Sequence, residues 1–387
     1  RYLIMRLIKG KKIKLGIVGG GPKSWIGHVH RISSRFDDEY EIVSGVFSRN
    51  SNISKTFGKK IGIDKDRCYS NYQEMAYKEA LRPDGIEVVA IMTPPSSHQI
   101  IAEKFIDKNI HIISDKPFAG DLSQAKKLFK KIKSNKNIKY ALTHNYSAYP
   151  MLREAKTIIE KGKLGKINLI NVEYPQGYTV GVKKKDEKKT LKWRLDKKMA
   201  GPSMILAEIG THAYHLMRYV TNLEVSEIAA EVNSLSSEVS VDDNAFLILR
   251  MNNRARGSIW VSSAATGGEN GLKIRVYGTM GAIEWFQDDP NNLKFTELNN
   301  PTKIITRGSS TVSDLSIKSS RIAAGHPEGF FEAFANIYTE FAESIISYKK
   351  NKKYKSIHPS IEDGVKGIKF IFAAKKSSNI NSKWIKI

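Results

Sequence analysis

The stretch LAEIGTHAYHL, residues 206–216, sets one carboxylate and two imidazoles among small and apolar side chains. On a 3.6-residue period Glu208, His212 and His215 fall at i, i+4 and i+7, so they share one helical face. Ile209, Ala213, Leu216 and Val220 repeat that spacing one position later and form an apolar stripe suited to a core. An imidazole with a carboxylate one turn away can take up a proton and have its charge balanced, which is the equipment of general acid–base chemistry. The same two groups can equally form a buried polar pair that does no chemistry, and His215 reads most simply as a structural histidine. Gly210, costing about 1 kcal/mol in a helix interior, predicts close approach of a ligand or backbone at this turn.

Two more stretches hold residues that could act on a ligand. GIVGGGPKSWIGHVH follows a β-branched run and opens a helical pattern, the setting in which glycines cradle a pyrophosphate. Gly19 permits the tight turn, and Gly21 lets backbone approach phosphates at the helix N-terminus. Ser24 stands where a dinucleotide fingerprint has its third glycine, and an insertion of three residues would make Gly27 the equivalent. A tight turn that holds nothing is the alternative. The next strand ends in Phe47-Ser48-Arg49-Asn50, with no acid to hold a ribose 2′-hydroxyl. Arg49 could face a 2′-phosphate or stack on adenine, which favours NADP over NAD, or it could be a plain surface arginine. ISDKPF places Lys116 at the carboxyl end of a buried strand, the edge at which open α/β sheets bind ligands. In a chain this rich in lysine, an ordinary exposed side chain is its alternative.

The elements that must position these residues divide the chain in two. Through residue 143 the runs KIKLGIVGGG, YEIVSGVFS, IEVVAIMTPP, NIHIISDKP and IKYALTHNY alternate with helical patterns, as in a doubly wound parallel sheet. Beyond the helix PMLREAKTIIEKGKLG come longer alternating strands: INLINVEYPQGY, IAAEVNSLS, NAFLILRMNN, RGSIWVSSAA, LKIRVYGTMG and AIEWFQDD. YGTMGAIEW reads as a hairpin and RGSSTVSDLSIKSS as a loop. The expected fold is an α/β Rossmann domain over residues 11–145. An α+β domain with a large, mostly antiparallel open sheet follows over 146–387.

Composition narrows the function. A chain of 387 residues, 41% hydrophobic, is long enough for two cores. Its net charge of +24 comes from lysine scattered along the chain. The densest cluster, VKKKDEKKTLKWRLDKK, lacks interleaved aromatics, so a nucleic-acid partner is not expected. That segment reads as a solvated loop or as a basic flap steering an anionic substrate. No run reaches the roughly 20 apolar residues of a membrane span, and RYLIMRLIKGKK lacks the apolar region of a secretion signal. The single cysteine, Cys68, excludes an internal disulfide, and no His/Cys/Asp cluster has metal-ligand spacing. The cytoplasm is the expected compartment.

The glycine loop, TPPSSH (93–98), DKP (115–117) and EIGTH (208–212) together resemble the Gfo/Idh/MocA family of sugar and cyclitol dehydrogenases. KWRLD, EIGTHAYHL and GHPEGFFEAFANIY are similar to the subgroup containing levoglucosan dehydrogenase. The resemblance implies a catalytic trio of Lys116, Glu208 and His212. His212 would take the hydroxyl proton, Glu208 would orient or charge-balance it, and Lys116 would meet the forming alkoxide. It also implies NAD or NADP, with cofactor contacts from Gly19, Gly21, Ser24, Trp25, Ile26, Ser48, Arg49, Thr93, Pro94, His98, Asp115 and Lys116. Substrate contacts are expected from Lys116, Asn145, Tyr146, Trp193, Arg194, Glu208, His212 and His326, several of which could instead only pack. The implied partners are a sugar or cyclitol and further copies of the chain, as a homodimer or homotetramer through the second domain's sheet. Asp115 stands where the family has glutamate, and Glu208 where it has aspartate; if Glu208 only orients His212, aspartate there is expected to keep or improve activity, and if the substitution marks a lapsed enzyme, to restore turnover. A nucleotide-sugar dehydrogenase or reductase, and a non-catalytic NAD(P)-sensing regulator, are the competing functions.

Overall fold

The computed structural model describes residues 11–182, 194–195, 201–236 and 239–387. It falls into two compact units, one of residues 11–145 with 331–365, the other of 146–330 with 366–387.

Among the described residues, the first unit carries five parallel strands: β1 (Ile13–Gly19), β2 (Tyr40–Val46), β3 (Val88–Met92), β4 (His111–Ser114) and β5 (Tyr140–Leu142). Their order is β2-β1-β3-β4-β5. The order reverses between β1 and β3, the kind of point at which doubly wound sheets open a ligand crevice. Val88–Met92 is buried throughout, which is why that run shows no alternation. Helices α1 (Trp25–Ser33), α2 (Ser51–Lys60), α3 (Tyr72–Leu81), α4 (His98–Ile106) and α5 (Leu122–Ser134) flank the sheet. In α5 the buried Ala125, Leu128 and Ile132 recur at helical spacing beneath an outer face of lysines. Asp121 caps its start by accepting from Gln124 N at 2.8 Å.

The division of the chain departs from the sequence expectation at one place. Residues 331–365, expected in the second domain, pack with the first. Tyr338, in the helix Phe330–Lys349, shares a 2.6 Å hydrogen bond with His30 Nδ1, and its carbonyl accepts from Tyr40 Oη at 2.9 Å. Leu142 N donates to Pro359 O at 3.1 Å. Helical periodicity says that a face is buried, not which sheet covers it.

The second unit holds nine strands among the described residues. These are β6 (Ile167–Pro175), β7 (Val225–Asn233), β8 (Asn244–Met251), β9 (Arg256–Ser262), β10 (Lys273–Gly278), β11 (Gly281–Phe286), β12 (Asn292–Glu297), β13 (Lys303–Thr306) and β14 (Ile385–Lys386). In the order β13-β12-β11-β10-β6-β9-β8-β7-β14 each described pair is antiparallel except β6 with β9. One face buries Ile170, Val172, Leu247, Leu249, Ile259, Val261, Ile274 and Val276. Helix α6 (Pro150–Glu160) and α7 (Thr211–Thr221) belong to this unit, and a Cβ on Gly257 of β9 would lie 3.3 Å from Met217 Cε of α7. Tyr214 of α7 stacks on Phe370 at 4.4 Å. The opposite face presents Leu169, Phe246 and Ile248, each about half exposed, and Phe246 lies parallel to Trp260 at 5.9 Å. The segment read as a loop from Arg307 to Ser320 contains a short helix, Asp314–Lys318, capped by Ser313.

Candidate active site

In the first unit the glycine turn leaves β1 with Gly19 at φ +95°, where a Cβ would stand 2.5 Å from Met92 O. Gly27 packs on the turn so closely that its Cβ would fall 2.4 Å from Gly20 Cα. That is the helix-to-strand approach expected of a third fingerprint glycine. Ser24 is not that residue: it caps α1, its Oγ accepting from Gly27 N at 3.0 Å. Gly21 is held by protein rather than kept clear for a ligand alone, since a Cβ there would lie 2.4 Å from Phe47 O. Arg31 donates to Gly20 O at 2.7 Å and lies over the Phe57 ring, a brace that no motif announces. Trp25 is exposed and Ile26 half-buried at the helix start, where first-turn N–H groups lack intrahelical acceptors. Such a turn fits a dinucleotide pyrophosphate, which backbone N–H groups at the start of α1 could hold. After β2, Ser48 Oγ accepts from Asn50 N at 3.1 Å and Arg49 is exposed.

The turns after β3 and β4 are tied together by His98. Its ring nitrogens lie 2.7 Å from Thr93 O and 2.9 Å from Pro117 O, and its side chain is fully buried. Burial holds its pKa below the ordinary value, and the two carbonyls oppose that shift. The residue expected to touch cofactor is thus a backbone clamp. Thr93 Oγ1 accepts from Ser97 Oγ at 2.8 Å, and Pro94 is half-buried. Asp115 Oδ1 accepts from Lys116 N at 2.9 Å and from Thr143 Oγ1 at 3.0 Å, so the acid before the lysine fastens the loop that carries it. The Lys116–Pro117 peptide is cis. Asn145 is buried at the end of this unit, in the short turn Asn145–Ala148.

In the second unit Glu208 and His212 do not lie on one regular α-helix. Leu206–Gly210 forms a π-helical turn, and α7 begins at Thr211. Thr211 N donates back five residues to Leu206 O, a widening common at functional sites. The neighbour that crowds Gly210 is the side chain of Leu206 in the same turn, with Cδ2 3.0 Å from a Cβ at 210, and not a backbone from elsewhere.

Around this turn the unit builds a polar wall. His212 is 7% exposed and meets the Tyr146 ring edge-on at 4.9 Å. Tyr146 Oη hydrogen-bonds Tyr174 Oη, which donates to Asn270 Oδ1 at 2.9 Å. Gln176 Nε2 donates to the same oxygen at 2.5 Å, and Asn270 Nδ2 donates to Gln287 Oε1. Burial first, and then the charge of Glu208 among other neighbours, raise the hydroxyl pKa values of Tyr146, Tyr174 and Tyr178. The three therefore remain neutral. Arg194 Nε donates to Glu208 Oε1 at 2.9 Å. His215 has Nε2 3.2 Å from Ser147 Oγ and its ring stacked on Tyr219. His326 stands on an exposed loop held through its carbonyl, which accepts from Arg307. Trp193 lies outside the described residues, as does most of the basic stretch before it. Tyr174, Gln176 and Asn270 escaped the sequence reading. The first two sit at a strand end whose alternation looks like core, and the third in a turn without a motif.

A buried imidazole on a neutral hydroxyl wall, beside a carboxylate paired with a guanidinium, is suited to moving a proton from an uncharged, hydroxyl-rich ligand. Among the described residues no group of three or more His, Cys, Asp or Glu side chains could hold a metal ion. No described helix is long and apolar enough to cross a membrane.

Residues 13–144 match the family model for the oxidoreductase family, NAD-binding Rossmann fold, and residues 152–284 that for the GFO/IDH/MocA C-terminal domain. The chain belongs to the Gfo/Idh/MocA oxidoreductase family, and its cofactor is NAD or NADP. It is 32% identical to the uncharacterized oxidoreductase YfiI of Bacillus subtilis over 98% of each chain. It is 30% identical to levoglucosan dehydrogenase of Pseudarthrobacter phenanthrenivorans, over 70% of this chain and 73% of that one. Among solved structures, an inositol dehydrogenase homolog from Azotobacter vinelandii complexed with NAD+ is similar with a TM-score of 0.93 and 29% identity, over 98% of both chains. An oxidoreductase from Sinorhizobium meliloti is 41% identical with a TM-score of 0.88, covering 97% of this chain and all of that one.

Proposed function

We propose that the protein is an NAD(P)-dependent dehydrogenase of a ring secondary alcohol in a sugar, anhydrosugar or inositol, working in either direction. The observation that carries this reading is the buried His212 against Tyr146, in a wall whose tyrosines and amides are uncharged. Such a wall suits hydroxyl groups better than the diphosphate of a nucleotide sugar. The relatives named for levoglucosan and inositol support the same class.

In this proposal bound NAD(P) would supply the hydride acceptor or donor. His212 takes the hydroxyl proton, Glu208 balances the imidazolium, and Lys116 supplies positive charge to the alkoxide. Tyr146, Tyr174 and Gln176 line the ring. The exposed apolar face around Leu169, Phe246 and Ile248 is proposed to join copies into a homodimer or homotetramer. Reduction of NAD+ and NADP+ in the presence of a panel of sugars, anhydrosugars and cyclitols tests the function. Cofactor binding without turnover of any member would favour the regulatory reading instead. If Arg49 selects the cofactor, Arg49→Asp lowers the NADP/NAD preference ratio; an unchanged ratio removes it from that role.

A further inference from the structure

Glu208 carries its carboxylate one methylene farther than an aspartate would, and that reach ends on Arg194, whose Nε donates to Oε1 at 2.9 Å. The arginine is not loosely placed. The next residue, Leu195, is 7% exposed and packs in an apolar cluster with Met204, Val239 and Val241. An apolar anchor thus adjoins a charged head fixed on the residue one turn before His212. Both charged side chains keep some contact with water, at 30% and 21% exposure.

We infer that Arg194 is a positioning residue for the reaction proposed above, holding the Glu208 carboxylate in place and ionised so that it can balance His212 as the imidazole takes a proton. The inference rests on that reading of the site. Arg194 and the neutral tyrosines Tyr146, Tyr174 and Tyr178 are among the groups that interact with Glu208 in this unit, and His212 follows it by four residues. An opposite charge at this distance favours the ionised form of a carboxyl by about 1–3 pH units. Partial exposure places the expected effect at the low end of that range. Aspartate at 208 would retract the carboxylate by about one C–C bond, roughly 1.5 Å, out of reach of the guanidinium.

Two measurements on Arg194→Gln and Arg194→Lys test this. In the first, the carboxyl carbon of Glu208 is followed by NMR against pH in 13C-labelled protein, with Glu208→Gln identifying its signal. In the second, kcat and KM are followed against pH with NAD(P)+ and the best substrate. Arg194→Gln is expected to raise both the carboxyl titration and the acidic limb of kcat/KM by about one pH unit. It should lower kcat more than it changes KM, and millimolar methylguanidinium should restore part of the loss. Arg194→Lys, which keeps the charge, should titrate within a few tenths of a unit of the parent. An unshifted carboxyl titration in Arg194→Gln, or a loss confined to KM, overturns the inference. The NMR titration needs no turnover, so a parent that oxidises no polyol defeats the functional reading while the titration still judges the pair.

Discussion

His212 and Lys116 are the side chains on which the proposed chemistry depends most directly. Loss of a general base typically costs about 10²–10⁴-fold in rate, so His212→Ala should lower kcat in that range while the Kd for NAD(P)+ changes little. Lys116→Ala should do likewise, because its charge matters most as the alkoxide forms. Near-parental kcat in both variants would remove the mechanism. Glu208 separates reach from charge. Family resemblance alone expects aspartate there to keep or improve activity, but the 2.9 Å contact with Arg194 reverses that expectation. Glu208→Asp should fall below the parent in kcat, and Glu208→Gln, which keeps length but not charge, should fall as well. An aspartate variant faster than the parent would mean that the Arg194 contact is idle.

At the scale of elements, the strand-turn-helix that opens the first unit is a packed object before it is a binding loop. A valine at Gly21 would press on Phe47 O, where even a Cβ lies at 2.4 Å. Gly21→Val should therefore weaken dinucleotide binding and lower Tm together, where a residue touching only phosphate would affect binding alone. A calorimetric titration beside a melting curve separates the two. The same distinction applies to His98, which stood among the expected cofactor contacts. Its ring spans the backbone of the turns after β3 and β4, so it shapes the crevice edge from beneath. Whether a histidine at such an edge faces ligand or carbonyl depends on which backbone crosses behind it, and the spacing TPPSSH carries no such information. The π turn at Leu206–Gly210 is likewise invisible to a periodicity that fits a regular helix just as well.

At the scale of the whole molecule, His30 and His111 are two of the buried histidines of the first unit that weaken it in acid. Burial lowers the pKa of both His30 and His111 to about 4, from an ordinary 6.5. Between those values the unfolded chain binds the protons that the folded chain refuses, so stability is complete above pH 6.5 and falls as pH drops towards 4. At 1.36 kcal/mol per unit the loss amounts to about 3 kcal/mol for each histidine. The urea midpoint should fall between pH 7 and pH 4.5, and less steeply in His30→Asn. A midpoint that is flat over this interval would contradict the burial argument. The second unit's open sheet face makes a separate prediction. Phe246→Glu with Ile248→Glu should lower the sedimentation mass with the circular dichroism spectrum unchanged. A parent that is already monomeric would leave that face without a role in assembly.

The five β-branched runs, the glycine turn and the alternating strands of the second half were legible because each is a local pattern. A strand buried on both faces, or a helix with one wet face, writes its period into consecutive residues. The helical character of the run holding Glu208 and His212, and the placing of Lys116 just past a strand end, were legible for the same reason. What depends on residues far apart in the chain was not. Residues 331–365 joined the first unit through Tyr338 on His30 and Tyr40, hydrogen bonds that span about 300 positions. Tyr174, Gln176 and Asn270 became one wall around His212 only when strand, turn and helix met. Glu208 acquired its partner in the same way. Local sequence sets which residues can carry charge or form a helix, but hydrogen bonds and ion pairs act over a few ångströms, and only tertiary packing decides which groups come within that range.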